Sequence, residues 1–350
     1  MNVQSDTSLD DESGIRRTRP TTGYALSLVI AGAEIDEAQL AAAIADIGAE
    51  VRSSETVEGG LKALVACSGT AQQAEVLSVV EKVDGVDSVS SSDTTFDLHV
   101  DGKIVVSPRI PIVGPDELAM AYTPGVGRVS THIAEEPSAV WRFTGRSNAV
   151  AVLSNGTAVL GLGDIGPEAA MPVMEGKAVL FKQFAGVDAY PVCVDAPTVD
   201  DVVAVGAAIA PTFGGINLED IKAPECFEIE ERLQEMLDIP IFHDDQHGTA
   251  IVVVAALLNA AKVIERPISE LSVTIVGTGA AGVACAHLLA EIGIGDIIGV
   301  DSRGILDSSR KGLHPSKQWF VDHGNKNDRS GGAREAIEGA DVLIGLSGPG

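Results

Sequence analysis

Between residues 23 and 96 the spacing of apolar positions switches repeatedly between the periods of strand and helix. GYALSLVIAG (23–32) has the composition of a strand, and DEAQLAAAIADIG (36–48) sets Leu40, Ile44 and Ile47 at helical intervals. Short strands are predicted near 49–53 and 61–67, a second helix over QQAEVLSVVEKV (72–83), and a last strand over VDSVSSSD (86–93). This β-α-β-β-α-β order is the ferredoxin-like plan. Farther along, PTFGGINLED (211–220) and IPIFHDDQHGTA (239–250) each run from an apolar strand into a pair of acids. Residues 271–301, LSVTIVGTGAAGVACAHLLAEIGIGDIIGVD, predict a strand, a glycine turn, an apolar helix over 280–292 and a second strand. The pattern as a whole predicts an α/β chain. A polar, disordered tail (1–22) precedes a ferredoxin-like unit (23–98), an acid-bearing α/β unit (99–265) and the beginning of a doubly wound, Rossmann-type unit (266–350).

The acids define the first candidate chemistry. In an open α/β sheet ligands collect at the carboxyl ends of strands. Two neighbouring strands ending in Glu219-Asp220 and Asp244-Asp245 would build an oxygen-only cage, which suits Mg²⁺ or Mn²⁺ and argues against zinc or copper. One acidic pair would be read as a solvated loop cap; two, each closing an apolar strand, favour the metal. The glycines define the second. Gly277, Gly279 and Gly282 follow strand 273–276 and open a helix, where they permit a tight turn, close approach of a pyrophosphate and tight helix packing. Asp301 ends the next strand, where a carboxylate is expected to bind the ribose 2′-OH and repel a 2′-phosphate, so NAD is favoured over NADP. Arg303, two residues on, is the competing signal. A second glycine-rich run, GLGDIG (161–166), is followed by Pro167 and by PEAAMPVMEGK, which lacks the uninterrupted apolar helix of a dinucleotide site; it is read as a loop.

Composition narrows the setting. The 350 residues carry a formal net charge of −26, which disfavours nucleic acid and anionic membrane as partners. The longest clean apolar run, near 251–264, is read as too short to span a bilayer, and the N-terminus shows no basic-then-apolar leader, so a cytoplasmic protein is expected. Cys67, Cys193, Cys226 and Cys285 are widely spaced in apolar stretches and are read as buried, reduced thiols. His243 and His247 have the spacing of a zinc-protease helix, but Pro240 and Gly248 bracket them and argue for a strand-to-helix loop.

AYTPGVG (121–127), SNGTAVLGLGDIG (154–166), MEGKAVLFKQFAGVD (174–188), GGINLEDI (214–221), FHDDQHGTA (242–250), GTGAAG (277–282) and IGLSGPG (344–350) together resemble the bacterial malic enzymes over residues 99–350. The N-terminal unit resembles an ACT-type regulatory domain in topology and length, with AGAEID (31–36) where such domains carry their small-molecule loop. The resemblance implies a malic-enzyme N-terminal α/β domain and oxidative decarboxylation of L-malate to pyruvate and CO₂ with reduction of NAD(P). It implies Glu219, Asp220 and Asp245 as Mg²⁺ or Mn²⁺ ligands, Lys177 as general base, Asp244 as the residue orienting it, and Tyr122 as general acid. Taken alone, Lys177 would be a solvated loop lysine and Tyr122 a turn-packing residue. The resemblance also implies a homo-oligomer, and asparagines past position 350 that contact substrate and nicotinamide, so that the chain stops early. Two alternatives stand beside this reading: a malolactic-type decarboxylase that releases lactate, and a catalytically incomplete regulatory protein.

Overall fold

The computed structural model describes residues 20–347. Most of the tail expected at 1–22 and the last glycines of the chain lie outside these residues; Thr21 and Thr22 already belong to the first strand. The chain divides into two compact units, Met1–Lys103 and Ile104–Gly350.

The first unit contains β1 (Thr21–Ala31), α1 (Glu37–Asp46), β2 (Glu50–Val57), β3 (Gly60–Cys67), α2 (Thr70–Val80), β4 (Ser88–Asp93) and a short α3 (Thr94–His99). Its sheet has the order β2-β3-β1-β4 with every neighbouring pair antiparallel, the strand order of the ferredoxin-like plan. Leu26, Leu28 and Ile30 of β1, Leu61, Ala63 and Val65 of β3, Leu40 and Ile44 of α1 and Val76 and Val80 of α2 form one core. The carboxylate of Asp36 starts α1 by accepting from the backbone N–H groups of Ala38 and Gln39 at 2.9 and 3.0 Å. Gly32 is required where the β1 end meets the turn before β4, because a Cβ there would lie 1.9 Å from the carbonyl oxygen of Gly85. β2 runs to Val57, past the expected 53, because an edge strand with polar side chains on both faces lacks the alternation that marks a strand in sequence. α3 was not anticipated; Asp93 caps it by accepting from the N–H groups of Thr95 and Phe96.

The second unit opens with α4 (Pro115–Ala121), α5 (Gly125–Glu135) and α6 (Val140–Phe143), none of which contains a buried residue. Then β5 (Ala149–Ser154), α7 (Pro167–Leu180), β6 (Asp188–Cys193), α8 (Val199–Ile209), β7 (Gly215–Leu218), α9 (Glu225–Met236) and β8 (Ile241–His243) build a parallel sheet of order β6-β5-β7-β8. Alternate residues of β5 face opposite ways. Ala149, Ala151 and Leu153 pack with α8 and α9, while Val152 packs with Met174 and Ala178 of α7. Helices therefore cover both faces, and the chain reverses its winding between β5 and β7.

The stretch after GLGDIG corrects the sequence reading: residues 167–180 are the helix α7, with Pro172 inside it. The GLGDIG run itself is a loop that turns through left-handed Gly161 and Gly163. Lys177 is thereby a helix residue and not a loop lysine.

The remainder contains α10 (Thr249–Val263), β9 (Ser272–Val276), α11 (Ala280–Glu291), β10 (Asp296–Asp301), β11 (Gly304–Ile305), α12 (Pro315–His323), α13 (Ala333–Ile337) and β12 (Val342–Gly345). Its sheet has the order β11-β10-β9-β12, parallel from β10 to β12, so the winding also reverses beside β9. Ala250, Val254, Leu257 and Ala261 of α10 are buried with Leu271, Val273, Ile275 and Leu289. By packing, α10 belongs to this sheet, so a boundary at 265, placed where the apolar run ends, cuts a helix from its own core. Asp244–Val263 forms one helical stretch of 20 residues, long and apolar enough by length and composition to cross a membrane. Here its buried face lines a protein core.

Phe320 is fully buried against the strand residue Gly299, where an added Cβ would meet the ring at 2.5 Å. Phe320→Ala is expected to destabilise this sheet by about 3–5 kcal/mol, read from the urea midpoint and from faster amide exchange in β9 and β10. A cost under about 0.5 kcal/mol, the range of neutral surface changes, would remove the ring from the core.

Candidate functional site

The carboxyl ends of β7 and β8 lie side by side, since Leu218 pairs with His243. The residues that follow are Glu219-Asp220 and Asp244-Asp245. One carboxylate oxygen each from Glu219, Asp220 and Asp245 lies within 4.8 Å of the others. Glu219 and Asp220 are buried, at 5 % and 3 % exposure. Asp220 holds a left-handed backbone (φ 53°), an uncommon conformation for a non-glycine residue and one that tends to persist where function requires it. Its backbone N–H donates to Asp245 Oδ2 at 2.9 Å, which links the two strand ends. Asp220 Oδ2 is buried without a hydrogen-bond partner. An orphaned carboxylate oxygen beside two more carboxylates is a donor set into which a hard divalent cation fits.

Lys177 projects from α7 into this group. Its ammonium lies 2.6 Å from Asp244 Oδ2 and 3.0 Å from Glu219 Oε1. Burial, compounded by neighbouring Asp244, pushes the Glu219 carboxyl up to about 7 despite Lys177, and burial with the adjacent charge of Asp245 pushes Asp220 up to about 6. Desolvation pulls Lys177 down, but Asp244 and Glu219 outweigh it and hold the ammonium above its ordinary pKa. The acids keep the lysine charged.

Tyr122 is not brought to the group. It caps the end of α4, is 68 % exposed, and makes no side-chain hydrogen bond among the described residues. The zinc-protease pair is also separated in function: His243 is wholly buried in β8, while His247 meets Glu230 at 2.9 Å.

Two residues with no sequence signal support the group. Asn217, 2 % exposed on β7, donates to Glu219 Oε2 at 2.8 Å and fixes the carboxylate that also meets Lys177. Glu230, 6 % exposed on α9, accepts from the His243 backbone N–H and from the Gln246 amide, both at 3.0 Å. It thereby ties the strand residue before the π-helical turn (Asp244–Gly248) to the middle of the turn that presents Asp244 and Asp245. A glutamate in the middle of an amphipathic helix reads as surface; only the fold turns it inward.

The glycine turn after β9 forms the second site. Gly277 has φ 104°, and a Cβ there would meet the Leu346 backbone at 2.5 Å; a Cβ on Gly282 would meet Gly277 O at 2.0 Å. Gly279 opens α11 with no atom within 4 Å of its Cβ position, leaving room above the helix N-terminus. Thr278 Oγ1, between them, is buried without a partner. These features fit a pyrophosphate. The cavity in front of them has a volume of ≈ 870 Å³ and reaches Asp301, Arg303 and Lys317. Asp301 stands at the end of β10 as the spacing requires, but its carboxylate is not free. Arg310 lies 2.8 Å and Lys317 3.0 Å from Oδ2. Burial opposes its charge, yet Arg310 and Lys317 hold the carboxyl well below the usual range.

A doubly wound sheet with a carboxylate–lysine group at its strand ends, followed by a glycine turn of the dinucleotide-binding kind, defines a class of α/β protein. Residues 109–234 match the family model "Malic enzyme, N-terminal domain", and residues 246–350 match "Malic enzyme, NAD binding domain". The NAD-dependent malic enzyme of Geobacillus stearothermophilus is 49 % identical over 304 residues, covering 87 % of this chain and 64 % of that protein. The NADP-dependent malic enzyme of Escherichia coli is 48 % identical over 264 residues, covering 73 % of this chain and 34 % of that one. The crystal structure of NAD-dependent malic enzyme from Thermotoga maritima superposes with a TM-score of 0.70 at 44 % identity, covering 72 % of this chain and 68 % of its own. The chain belongs to the malic enzyme family. It spans just under two thirds of the Geobacillus protein and about one third of the Escherichia coli one.

Removing one of three anionic oxygens should weaken a hard cation's hold more than loss of a supporting partner does. Asp245→Ala is therefore expected to reduce Mn²⁺ affinity at least about tenfold, measured by calorimetry or by the paramagnetic resonance of free Mn²⁺. Protons compete with the cation for Glu219 and Asp220, whose pKa values of about 7 and about 6 are raised, so affinity should climb with pH across that interval. Unchanged affinity in the variant would remove Asp245 from the ligand set.

Proposed function

We propose that this chain carries the metal, substrate and cofactor machinery for oxidative decarboxylation of L-malate to pyruvate and CO₂, with reduction of a nicotinamide dinucleotide. The observation that carries the reading is the contact of Lys177 with Glu219 and Asp244 at the switch point of the sheet, in a chain whose next unit holds a dinucleotide cradle. Glu219, Asp220 and Asp245 would hold Mg²⁺ or Mn²⁺, which supplies Lewis acidity to the malate hydroxyl and to the enolate left as CO₂ departs. Gly277, Gly279 and Gly282 would hold the dinucleotide, which would supply the hydride acceptor.

The chain's own residues then divide the remaining work. Lys177 Nζ takes the hydroxyl proton as hydride leaves the adjacent carbon. Asp244 holds that amine in place, and Glu219, oriented by Asn217, shares itself between the lysine and the cation site. Once Glu219 answers to a cation, its pull on the lysine proton falls, and desolvation of Lys177 acts in favour of the neutral amine. Glu230 keeps the 244–248 turn in register with β7.

We read the N-terminal unit as an ACT-type regulatory or dimerising module, on strand order alone. A homo-oligomer is supported by the large apolar side chains Val105, Val106, Ile112, Val113 and Met120, which are exposed on the segment leading to Tyr122.

The test uses a protein spanning the full family length. Lys177→Ala should lower malate oxidation about 10²–10⁴-fold while sparing decarboxylation of added oxaloacetate, which has no hydroxyl proton to remove. Malate oxidation near the wild-type rate would end the general-base role. Lactate in place of pyruvate as the product would move the assignment to a malolactic reaction.

A further inference from the structure

β8 carries a polar ring where its alternation calls for an apolar side chain. Successive residues of a strand face opposite ways, so His243 shares a face with Ile241, which is buried in the core with Ile229 and Leu233 of α9. His243 is 0 % exposed, and neither Nδ1 nor Nε2 has a hydrogen-bond partner among the described residues. Its backbone N–H is satisfied by Glu230 at 3.0 Å, whereas the ring is not satisfied at all. A buried polar group left unpaired costs stability, and an aliphatic side chain at this position would avoid that cost. What the imidazole adds to the fold is therefore its donor.

One acceptor stands within reach of it. Nε2 lies 3.4 Å from Asp245 Oδ2, just beyond the ordinary range of an N–H···O bond. The neighbouring acids are engaged elsewhere. Asp244 meets Lys177 at 2.6 Å, and Glu230 already accepts from the His243 backbone, the Gln246 amide and the His247 ring. Asp245 Oδ2 accepts from the Asp220 backbone N–H at 2.9 Å, which uses one of its two lone pairs. A second donor, from His243, would fill Oδ2 and leave Oδ1 as the oxygen with acceptor capacity to spare.

We propose that His243 is the positioning residue for Asp245: its Nε2–H donates to Oδ2, so that two N–H groups fix this carboxylate at the strand ends and turn its remaining acceptor capacity towards the cation. The role is orientation and not ligation, because a protonated Nε2 has no lone pair to give a metal. The inference rests on the cation site of the proposed function and adds a residue outside the ligand set on which the hold depends. Partners that orient a ligating side chain commonly govern metal affinity by one to two orders of magnitude, about 10–100-fold.

The experiment reads the ring and the metal, with no turnover, in a protein spanning the full family length. With the histidine nitrogens isotopically labelled, Mg²⁺ should shift the His243 Nε2–H proton resonance downfield and slow its exchange as the bond to Oδ2 closes. His243→Leu should lower Mn²⁺ affinity about 10–100-fold, while the urea midpoint of the metal-free protein holds or rises because an unpaired polar group is gone. His243→Gln, which keeps an N–H donor, should recover most of the affinity. Mn²⁺ affinity in His243→Leu within about twofold of the wild type would overturn the proposal, as would a His243 Nε2 without a proton in the Mg²⁺ complex. Affinity and urea midpoint falling together, with no recovery in His243→Gln, would make the ring a packing residue and overturn it too. Failure of the wild type to bind Mn²⁺ would remove the cation site beneath the inference. Affinity lost and recovered as expected, in a protein that does not oxidise malate, would sink the proposed reaction and leave the role of His243 standing.

Discussion

Carboxylates brought together out of water repel one another, and the group at the ends of β7 and β8 exists only because the rest of the unit compensates for that. Glu219 and Asp220 are almost wholly buried. Left alone, such acids would take up protons, and both are displaced in that direction. Three devices oppose it within the protein. Lys177 supplies a cation from α7, Asn217 supplies an amide donor, and the Asp220 N–H ties Asp245 to the neighbouring strand. None is sufficient, and the residual repulsion would favour a divalent cation among the carboxylates. The parallel sheet matters because it sets two strand ends side by side while helices on both faces keep the ends from spreading.

How much of this can be read from the chain depends on the distance over which each feature is determined. The strand-helix-strand run at 271–301 is local: glycine conformational freedom, apolar spacing and an acid at the next strand end are all written within about thirty residues. The acidic pairs are similarly legible, since each closes its own strand. What escapes is whatever depends on a residue far away in sequence. Glu230 looks like one more surface acid of α9 until the helix packs and turns it towards the backbone of His243. The helix at 167–180 is masked by Pro172 and by Gly176, which local propensity penalises, and it forms because Met174 and Ala178 find the face of β5. The same reason places α10 with the nucleotide sheet: an apolar run does not state which core it will join.

Asp301 shows how a motif can be correct in position and misleading in chemistry. Its place at the end of β10 follows from the spacing of the glycine turn. Its electrostatic character is decided by residues that return to it from nine and sixteen positions downstream. A carboxylate with empty lone pairs and one saturated by a guanidinium and an ammonium are the same letter in sequence and opposite surfaces to a ligand. Tyr122 carries the complementary lesson. The Thr-Pro-Gly motif places it at a helix end, but a motif does not say what lies opposite.

β8 is only three residues long and forms the outer edge of its sheet. An edge strand this short is held on one side by β7 and has little of its own to resist fraying. Yet it supports the turn that delivers Asp244 and Asp245. A cation shared between that turn and the end of β7 would act as a rivet through the selvedge of the sheet, and the mechanical soundness of the edge and the chemistry of the centre would become one property. Any change that loosens α9, the helix leading into this strand, would then register first as a leak of metal and only later as loss of fold.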